Sequence, residues 1–287
     1  MPQLRTMEDL ESRALRQFDK LVQCGSIIFK DAPPIHVPAQ PFNLQFRIAS
    51  SLTKKPQVDI KEAKAQSDRQ KDTPVRSLGI LPTSFSNMSA RNTRCGSTSS
   101  ALSGRSSSCT RTNTQSQIEP LSASDLAAAW SVLCKLESPY IVIYNGGVQG
   151  GWSLPHRHLQ LLPRPARDVH DLFPDTYGIE NGRVPNIPFQ HIARKLSPSP
   201  AGNDIFSIYR ELLAAAGVDE PDYSHSLVLV REWMMVIPRS RASQEGVKIV
   251  NAAGMVGMIW IPSKDVLDIW LQSEDPMEIL ARFGKPW

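Results

Sequence analysis

Apolar residues recur along this chain with two periods, and each change of period marks a new element. Leu10, Leu15, Phe18, Leu21 and Val22 keep one face apolar at helical spacing, which predicts a packing helix from Met1 to about Gln23. Asn43-Leu-Gln-Phe-Arg-Ile-Ala49 alternates apolar with polar and reads as a half-buried strand. From Leu121 to Leu136 the helical period returns. Leu126, Ala129, Trp130, Leu133 and Leu136 form the stripe, and Ser122 with Asp125 three residues on makes a variant capping box. Trp130 and Cys134 read as core of that helix. Tyr140-Ile-Val-Ile-Tyr144 is a β-branched and aromatic run, a buried strand, and Leu159, Leu161 and Leu162 mark a second. Further on, 204–216 reads as a helix stopped by Gly217, and Ser226–Val230 with Trp233–Ile237 reads as a hairpin around Arg231-Glu232. Ser263–Leu271 is the last helix. Mixed hairpins and helices of this kind mean α+β with a mostly antiparallel sheet.

The pattern fails in one place. Val58–Asp72 is charged and poor in apolar residues, as a surface connection is, and from there to Glu119 the chain holds no carboxylate at all. Ser, Thr, Arg and Asn crowd 84–100 and 103–112, where too little apolar surface is present to offset the entropy of ordering, so this segment is expected to be disordered. Arginines among so many serines also suit a phosphorylatable linker.

Composition narrows the class without naming it. A chain of 287 residues has room for one large domain or two smaller ones. The net charge of +4 does not call for nucleic acid, although a polyphosphate ligand would favour a locally basic pocket. Cys24, Cys95, Cys109 and Cys134 show no paired spacing, and nothing at the N-terminus resembles a signal peptide, so a reducing intracellular compartment is expected. No apolar run approaches membrane-spanning length, and no membrane partner is expected.

The chemistry concentrates between the two central strands, in Asn145-Gly-Gly-Val-Gln-Gly-Gly-Trp-Ser-Leu-Pro-His-Arg-His-Leu-Gln160. Gly146, Gly147, Gly150 and Gly151 allow positive φ and close approach to a ligand, and successive N–H groups in such turns hold phosphate oxygens. On the following strand, side chains alternate, so His156, His158 and Gln160 share one face while Arg157, Leu159 and Leu161 share the other. A neutral imidazole beside a phosphate site can attack phosphorus and form a phosphoramidate. His-x-His is equally a metal-ligand spacing, although no Cys, Asp or Glu close in sequence completes a metal set. His170 and His191 lie in irregular sequence and read as solvated or hydrogen-bonded rather than ligating. The adjacent Lys54 and Lys55 read, by themselves, as solvated surface.

The block from Asn145 to Pro163 resembles the histidine-triad superfamily, and within it the ATP adenylyltransferases, also called diadenosine tetraphosphate phosphorylases. Thr114–Trp130, with its Gln-Ser-Gln-Ile-Glu-Pro-Leu, and Tyr223–Ser240, with its Trp-Met-Met-Val-Ile-Pro-Arg, are similar to the same branch. The resemblance implies a histidine-triad-like catalytic region over 1–200 and an adenylyltransferase-type region over 201–287. It implies His158 as the nucleophile, His156 as a neighbour that orients the site, and Gln160 in place of the third histidine of the hydrolases. It also assigns substrate contacts to Lys54 or Lys55, Asn145, Gly151, Trp152, Ser153, Leu154, Gln160, Asn251, Ala252, Ala253 and Met258. The implied activity cleaves diadenosine tetraphosphate with phosphate to ADP and ATP, and runs in reverse, with a divalent cation such as Mg2+ carried mainly by the polyphosphate oxygens. The implied ligands are diadenosine polyphosphates, ATP, ADP and phosphate, and the implied place is the cytoplasm, with the nucleus as an alternative.

The chain departs from that branch at several points. The family has a serine where Gly150 stands, a small residue at Trp152, a glutamine at Leu154 and a lysine near Pro262. Restoring the serine and removing the indole is expected to tighten phosphate binding. Hydrophobic strands that the family carries across 78–113 are replaced by the Ser/Arg-rich text, as an out-of-frame stretch would do, which leaves the sheet edge uncovered and the chain impaired. Two other functions remain open: a nucleotide-binding protein without turnover, and a hexose-1-phosphate uridylyltransferase-like enzyme, which shares His-x-His-x-Gln.

Overall fold

The computed structural model describes residues 10–24, 32–50, 52, 93–97, 107–111, 115–152, 154, 156–199 and 202–287, the strands 93–97 and 107–111 by their backbone. In chain order its helices are α1 (Leu10–Gln23), α2 (Ala123–Lys135), α3 (Phe173–Tyr177), α4 (Ile205–Ala215), α5 (Ala252–Met255), α6 (Lys264–Leu271) and α7 (Pro276–Ala281). Its longer strands are β1 (Ile35–Val37), β2 (Leu44–Ile48), β3 (Thr93–Ser97), β4 (Ser107–Arg111), β5 (Tyr140–Gly146), β6 (His158–Pro163), β7 (Ile192–Lys195), β8 (His225–Leu229) and β9 (Trp233–Pro238). A two-residue ribbon, β10 (Ser243–Gln244) with β11 (Lys248–Ile249), and β12 (Met258–Ile261) complete the set.

Seven strands form an antiparallel sheet in the order β3-β4-β6-β5-β8-β9-β7, which confirms the expected α+β class. Both faces of its centre are covered. Val142, Tyr144, Leu159, Leu161, Leu227 and Val236 pack under α2 and α4, while Ile141, Ile143, Leu162, Val228, Met235 and Ile237 pack under the second sheet and the C-terminal helices. Burial on both faces explains why β5 reads as a continuous apolar run without alternation. The capping box forms as expected, Ser122 accepting from the Asp125 amide while the Asp125 carboxylate accepts from the Ser122 amide. α1 is anchored by Glu11, whose carboxylate accepts from the amides of Glu137 and Ser138 just past α2.

The smaller sheet, β1-β2-β12, joins strands from opposite ends of the chain, β12 running parallel to β2 with Met258 opposite Gln45. β8 and β9 likewise complete the large sheet beside β5. Residues before and after 200 therefore share both sheets, and the two regions expected from sequence interleave.

The Ser/Arg-rich segment requires a correction. Thr93–Ser97 and Ser107–Arg111 are paired strands, and β4 lies along β6 with Ser107 opposite Leu161 and Thr110 opposite His158. Composition measures the apolar surface available for burial, whereas a ladder at a sheet edge is bonded through backbone groups that every non-proline residue carries. The edge of β6 is thus covered. The remainder of 78–113 lies outside the described residues.

Candidate active site

β5 and β6 pair regularly from Tyr140 opposite Pro163 to Ile143 opposite Gln160, and then part. The widening admits the segment 115–119. The Gln117 side chain donates through Nε2 to the Asn145 carbonyl at 2.8 Å and accepts through Oε1 from the His158 amide at 2.8 Å. Ser116 bridges to His156, and the Arg157 amide donates to the Gln115 carbonyl at 2.7 Å.

His158 is buried, with Nδ1 2.9 Å from the His156 carbonyl. A carbonyl only accepts, so Nδ1 carries the proton and the lone pair of the neutral ring lies on Nε2. The His156 ring is half-buried, its centroid 5.7 Å from that of His158, and burial pushes its pKa down, which favours the neutral form. Gln160 is half-buried on the same strand face. Arg157, on the opposite face, had no role in the sequence reading. It is buried and donates to Asp125 at 3.1 Å, to Glu119 at 3.0 Å and to Gln115, so the strand carrying the histidines is bolted to the capped end of α2. The sequence held no signal for this pairing, because alternation along a strand assigns a side chain to a face and does not name its partner.

The loop between the strands is tightly folded. Gly147 and Gly151 sit at φ +72° and +79°, conformations that L side chains rarely adopt. At Gly150 an added Cβ would stand 2.4 Å from the Gly146 carbonyl oxygen. The expected gain from Gly150→Ser is therefore corrected: backbone occupies the space, and the hydroxyl cannot be restored at that position without moving the loop. Trp152 is buried, its indole Nε1 donating to the Gly147 carbonyl, and it closes the loop on itself rather than intruding on it. Leu154 is exposed.

Beneath the loop lies a group that sequence reasoning missed. Arg239 is fully buried and donates to the carbonyls of Phe283, Arg241, Val250 and, at 3.5 Å, Gly150, and to the Ser226 hydroxyl. Among the described residues no carboxylate pairs with it. Burial lowers its pKa to about 9, which still leaves it charged at neutral pH. Nothing in the pattern Val-Ile-Pro-Arg-Ser signals this, because its acceptors come from four separate segments.

Asn145 and the 251–253 turn meet. Asn145 Oδ1 accepts from the Ala252 amide at 2.6 Å, so what this side chain still offers a ligand is the donor Nδ2. Asn251 caps α5 through Gly254, while the Ala252, Ala253 and Met258 side chains are enclosed in the core. Lys54, Lys55 and Ser153 lie outside the described residues. His170 and His191 are buried and hydrogen-bonded to backbone, His191 with Phe189 and Val184, His170 with Val256, in keeping with their expected plain roles. Among the described residues no three His, Cys, Asp or Glu side chains gather to cage a metal, and no helix is long and apolar enough to cross a membrane.

Comparison with known proteins gives this arrangement relatives. Residues 109–176 match the model of the Ap4A phosphorylase N-terminal domain and residues 185–286 that of the ATP adenylyltransferase C-terminal domain. The chain is 29% identical over 200 residues to Protein APA1 of Saccharomyces cerevisiae, covering 60% of this chain and 62% of that one. It is 27% identical over 192 residues to the diadenosine tetraphosphate phosphorylase 2 of the same yeast, covering 56% and 58% respectively. The alignments thus span about three fifths of the length of these relatives. The fold is similar to the crystal structure of yeast Ap4A phosphorylase Apa2 in complex with Ap4A, with a TM-score of 0.75 at 21% identity over 98% of this chain and 99% of that one. The complex of Apa2 with AMP gives a TM-score of 0.70 at 21% identity, over 98% of each chain. Two models of one enzyme type, an Ap4A phosphorylase N-terminal domain and an ATP adenylyltransferase C-terminal domain, thus follow one another along 109–286 of this chain, on a fold that the Apa2 structures share.

Proposed function

We propose that this protein is a nucleotidyltransferase that cleaves diadenosine tetraphosphate with phosphate to ADP and ATP, and joins them in reverse, through a histidine-bound AMP. The observation that carries this reading is the His158 ring, held by its Nδ1–H on the His156 carbonyl so that the Nε2 lone pair is the nucleophile, on the strand that follows a glycine loop with positive φ at Gly147 and Gly151.

In the first step His158 Nε2 attacks the α-phosphorus, the bond from phosphorus to the bridging oxygen breaks, and ATP leaves with that oxygen. In the second, an oxygen of inorganic phosphate attacks the same phosphorus, the N–P bond breaks, and ADP leaves with Nε2 restored. Charge gathers on the non-bridging oxygens in both steps. Asn145 Nδ2 and the loop amides other than those of Gly147, Gln149 and Gly150, which already donate to Gln117, Ser224 and Gly147, are the donors assigned to it, and the buried Arg239 guanidinium adds positive potential from below. Gln160, and Ser153 with Lys54 or Lys55, are assigned to substrate contacts. A divalent cation, Mg2+ by chemistry, would ride on the polyphosphate oxygens and neutralise part of their charge. The absence of paired cysteine spacing supports a reducing intracellular compartment, which we take to be the cytoplasm, with the nucleus as the alternative. The adenylyl reading is preferred to uridylyl transfer because both matched models are of the adenylyl type.

Incubation with diadenosine tetraphosphate labelled at the α-phosphorus, followed by an alkaline quench, is expected to leave an acid-labile adduct on the protein. His158→Ala should abolish it. An adduct of equal size in that variant would transfer the role to His156, and none in either protein would remove the covalent route.

A further inference from the structure

Where β5 and β6 part, the register continued past Tyr144 and Leu159 would set Asn145 opposite His158, two residues beyond Ile143 opposite Gln160. In such a pair the His158 amide would donate to the Asn145 carbonyl. Instead the Gln117 carboxamide stands inside that bond: Oε1 takes the His158 amide and Nε2 satisfies the Asn145 carbonyl, each at 2.8 Å, with the His158 carbonyl a further acceptor at 3.5 Å. Only a side chain that is donor and acceptor at once can do this, because the two groups it separates are themselves an acceptor and a donor. The Gln117 backbone carbonyl meanwhile accepts from the Gly147 amide at 3.2 Å and faces the Tyr144 hydroxyl at 3.0 Å. One residue therefore fixes the nucleophile strand, the end of the neighbouring strand and the first turn of the glycine loop.

We propose that Gln117 is the positioning residue of His158: its inserted carboxamide sets the separation of Asn145 from His158, and thereby the placement of the Nε2 lone pair against the phosphate loop. Gln117 is fully buried, so it acts through His158 and not on the substrate. The proposal rests on His158 being the nucleophile. A shift of about 1 Å at a reacting atom costs on the order of a hundredfold in rate, whereas nucleotide affinity depends on contacts made elsewhere.

The test compares the full chain with Gln117→Leu and Gln117→Glu. Gln117→Leu should lower the rate of protein adenylation roughly ten- to a hundredfold while the Kd for diadenosine tetraphosphate stays within about threefold. Gln117→Glu can replace both bonds only as the neutral acid, since a carboxylate would face the Asn145 carbonyl with no proton between them. The ratio of its rate to that of the wild type should therefore fall as pH rises from 6 to 9. A Gln117→Leu variant as fast as the wild type, or one that loses affinity and rate together, would overturn the positioning role, as would a Gln117→Glu ratio flat with pH. A readout independent of turnover is the His158 backbone amide in a ¹⁵N-labelled spectrum. It should move in Gln117→Leu while the amides of α4 stay in place, and an unmoved His158 amide would refute the inserted bond. If the wild type forms no adduct, the functional reading fails and this spectrum still decides the structural one.

Discussion

Two buried titratable side chains, Arg239 and His225, meet the cost of burial in opposite ways. Arg239 stays charged at neutral pH and has its donors met by carbonyls and a hydroxyl. His225 gives up charge. Its Nδ1–H donates to the Tyr223 carbonyl, Nε2 accepts from the Tyr209 hydroxyl at 2.9 Å, and that oxygen accepts from the Leu121 amide. Every site of the neutral ring is used, and burial lowers its pKa to about 4. The unfolded chain, with histidine near the ordinary value of about 6.5, binds the proton first as pH falls. Stability contributed by the neutral ring is thus fully present above about pH 6.5 and is lost as pH drops toward 4, in total on the order of 3 kcal/mol. Urea unfolding at a series of pH values should show this slope, and His225→Gln should flatten it between pH 6.5 and 4. A slope unchanged in the variant would mean that other groups carry the acid sensitivity.

At the scale of elements, α2 and β6 are joined by one carboxylate with two duties. Asp125 closes the capping box with Ser122 and also takes the buried Arg157, with side chains that are 2% and 3% exposed. Losing a cap costs about 1 kcal/mol, whereas leaving one member of a buried pair alone costs roughly 3–5 kcal/mol. Asp125→Ala should therefore destabilise the fold by roughly 3–5 kcal/mol, well beyond Ser122→Ala at about 1 kcal/mol, in equilibrium denaturation of both. Equal losses would show that Glu119 and Gln115 satisfy Arg157 unaided. The cap was legible in the sequence because its partners are three residues apart. The pair with Arg157 was not, since alternation along β6 says which face a side chain takes and nothing about what stands opposite. Gln117 and Arg239 were hidden for the same reason: their partners are distant in sequence and are gathered only by the sheet. The helical stripes and the β8–β9 hairpin depend on local periodicity or turn chemistry and were read correctly, except that Ser263–Leu271 is not the last helix: α7, only six residues long and opened by Pro276, follows it. The glycine loop was placed correctly between β5 and β6, with positive φ at Gly147 and Gly151. α5, a single turn, was too short for a period, although Asn251 stood at its cap.

For the whole molecule the deciding question is what lies against β6, because an open edge beside the histidines would leave the site one-walled. The sequence argued for an uncovered edge from composition. The fold instead lays β4 along β6, from Ser107 opposite Leu161 to Thr110 opposite His158, with β3 on its far side, and so places the histidine strand inside the sheet. An interior strand has its amides bonded on both edges, and such amides exchange only when the sheet opens. Hydrogen exchange read by mass spectrometry should therefore show peptides over 107–111 and 158–163 protected together, and Thr110→Pro, which removes an amide from the ladder, should speed exchange in both. Peptides over 107–111 that exchange at the rate of an unstructured chain, with 158–163 unaffected by the proline, would return β6 to the edge of the sheet and leave His158 on an exposed border.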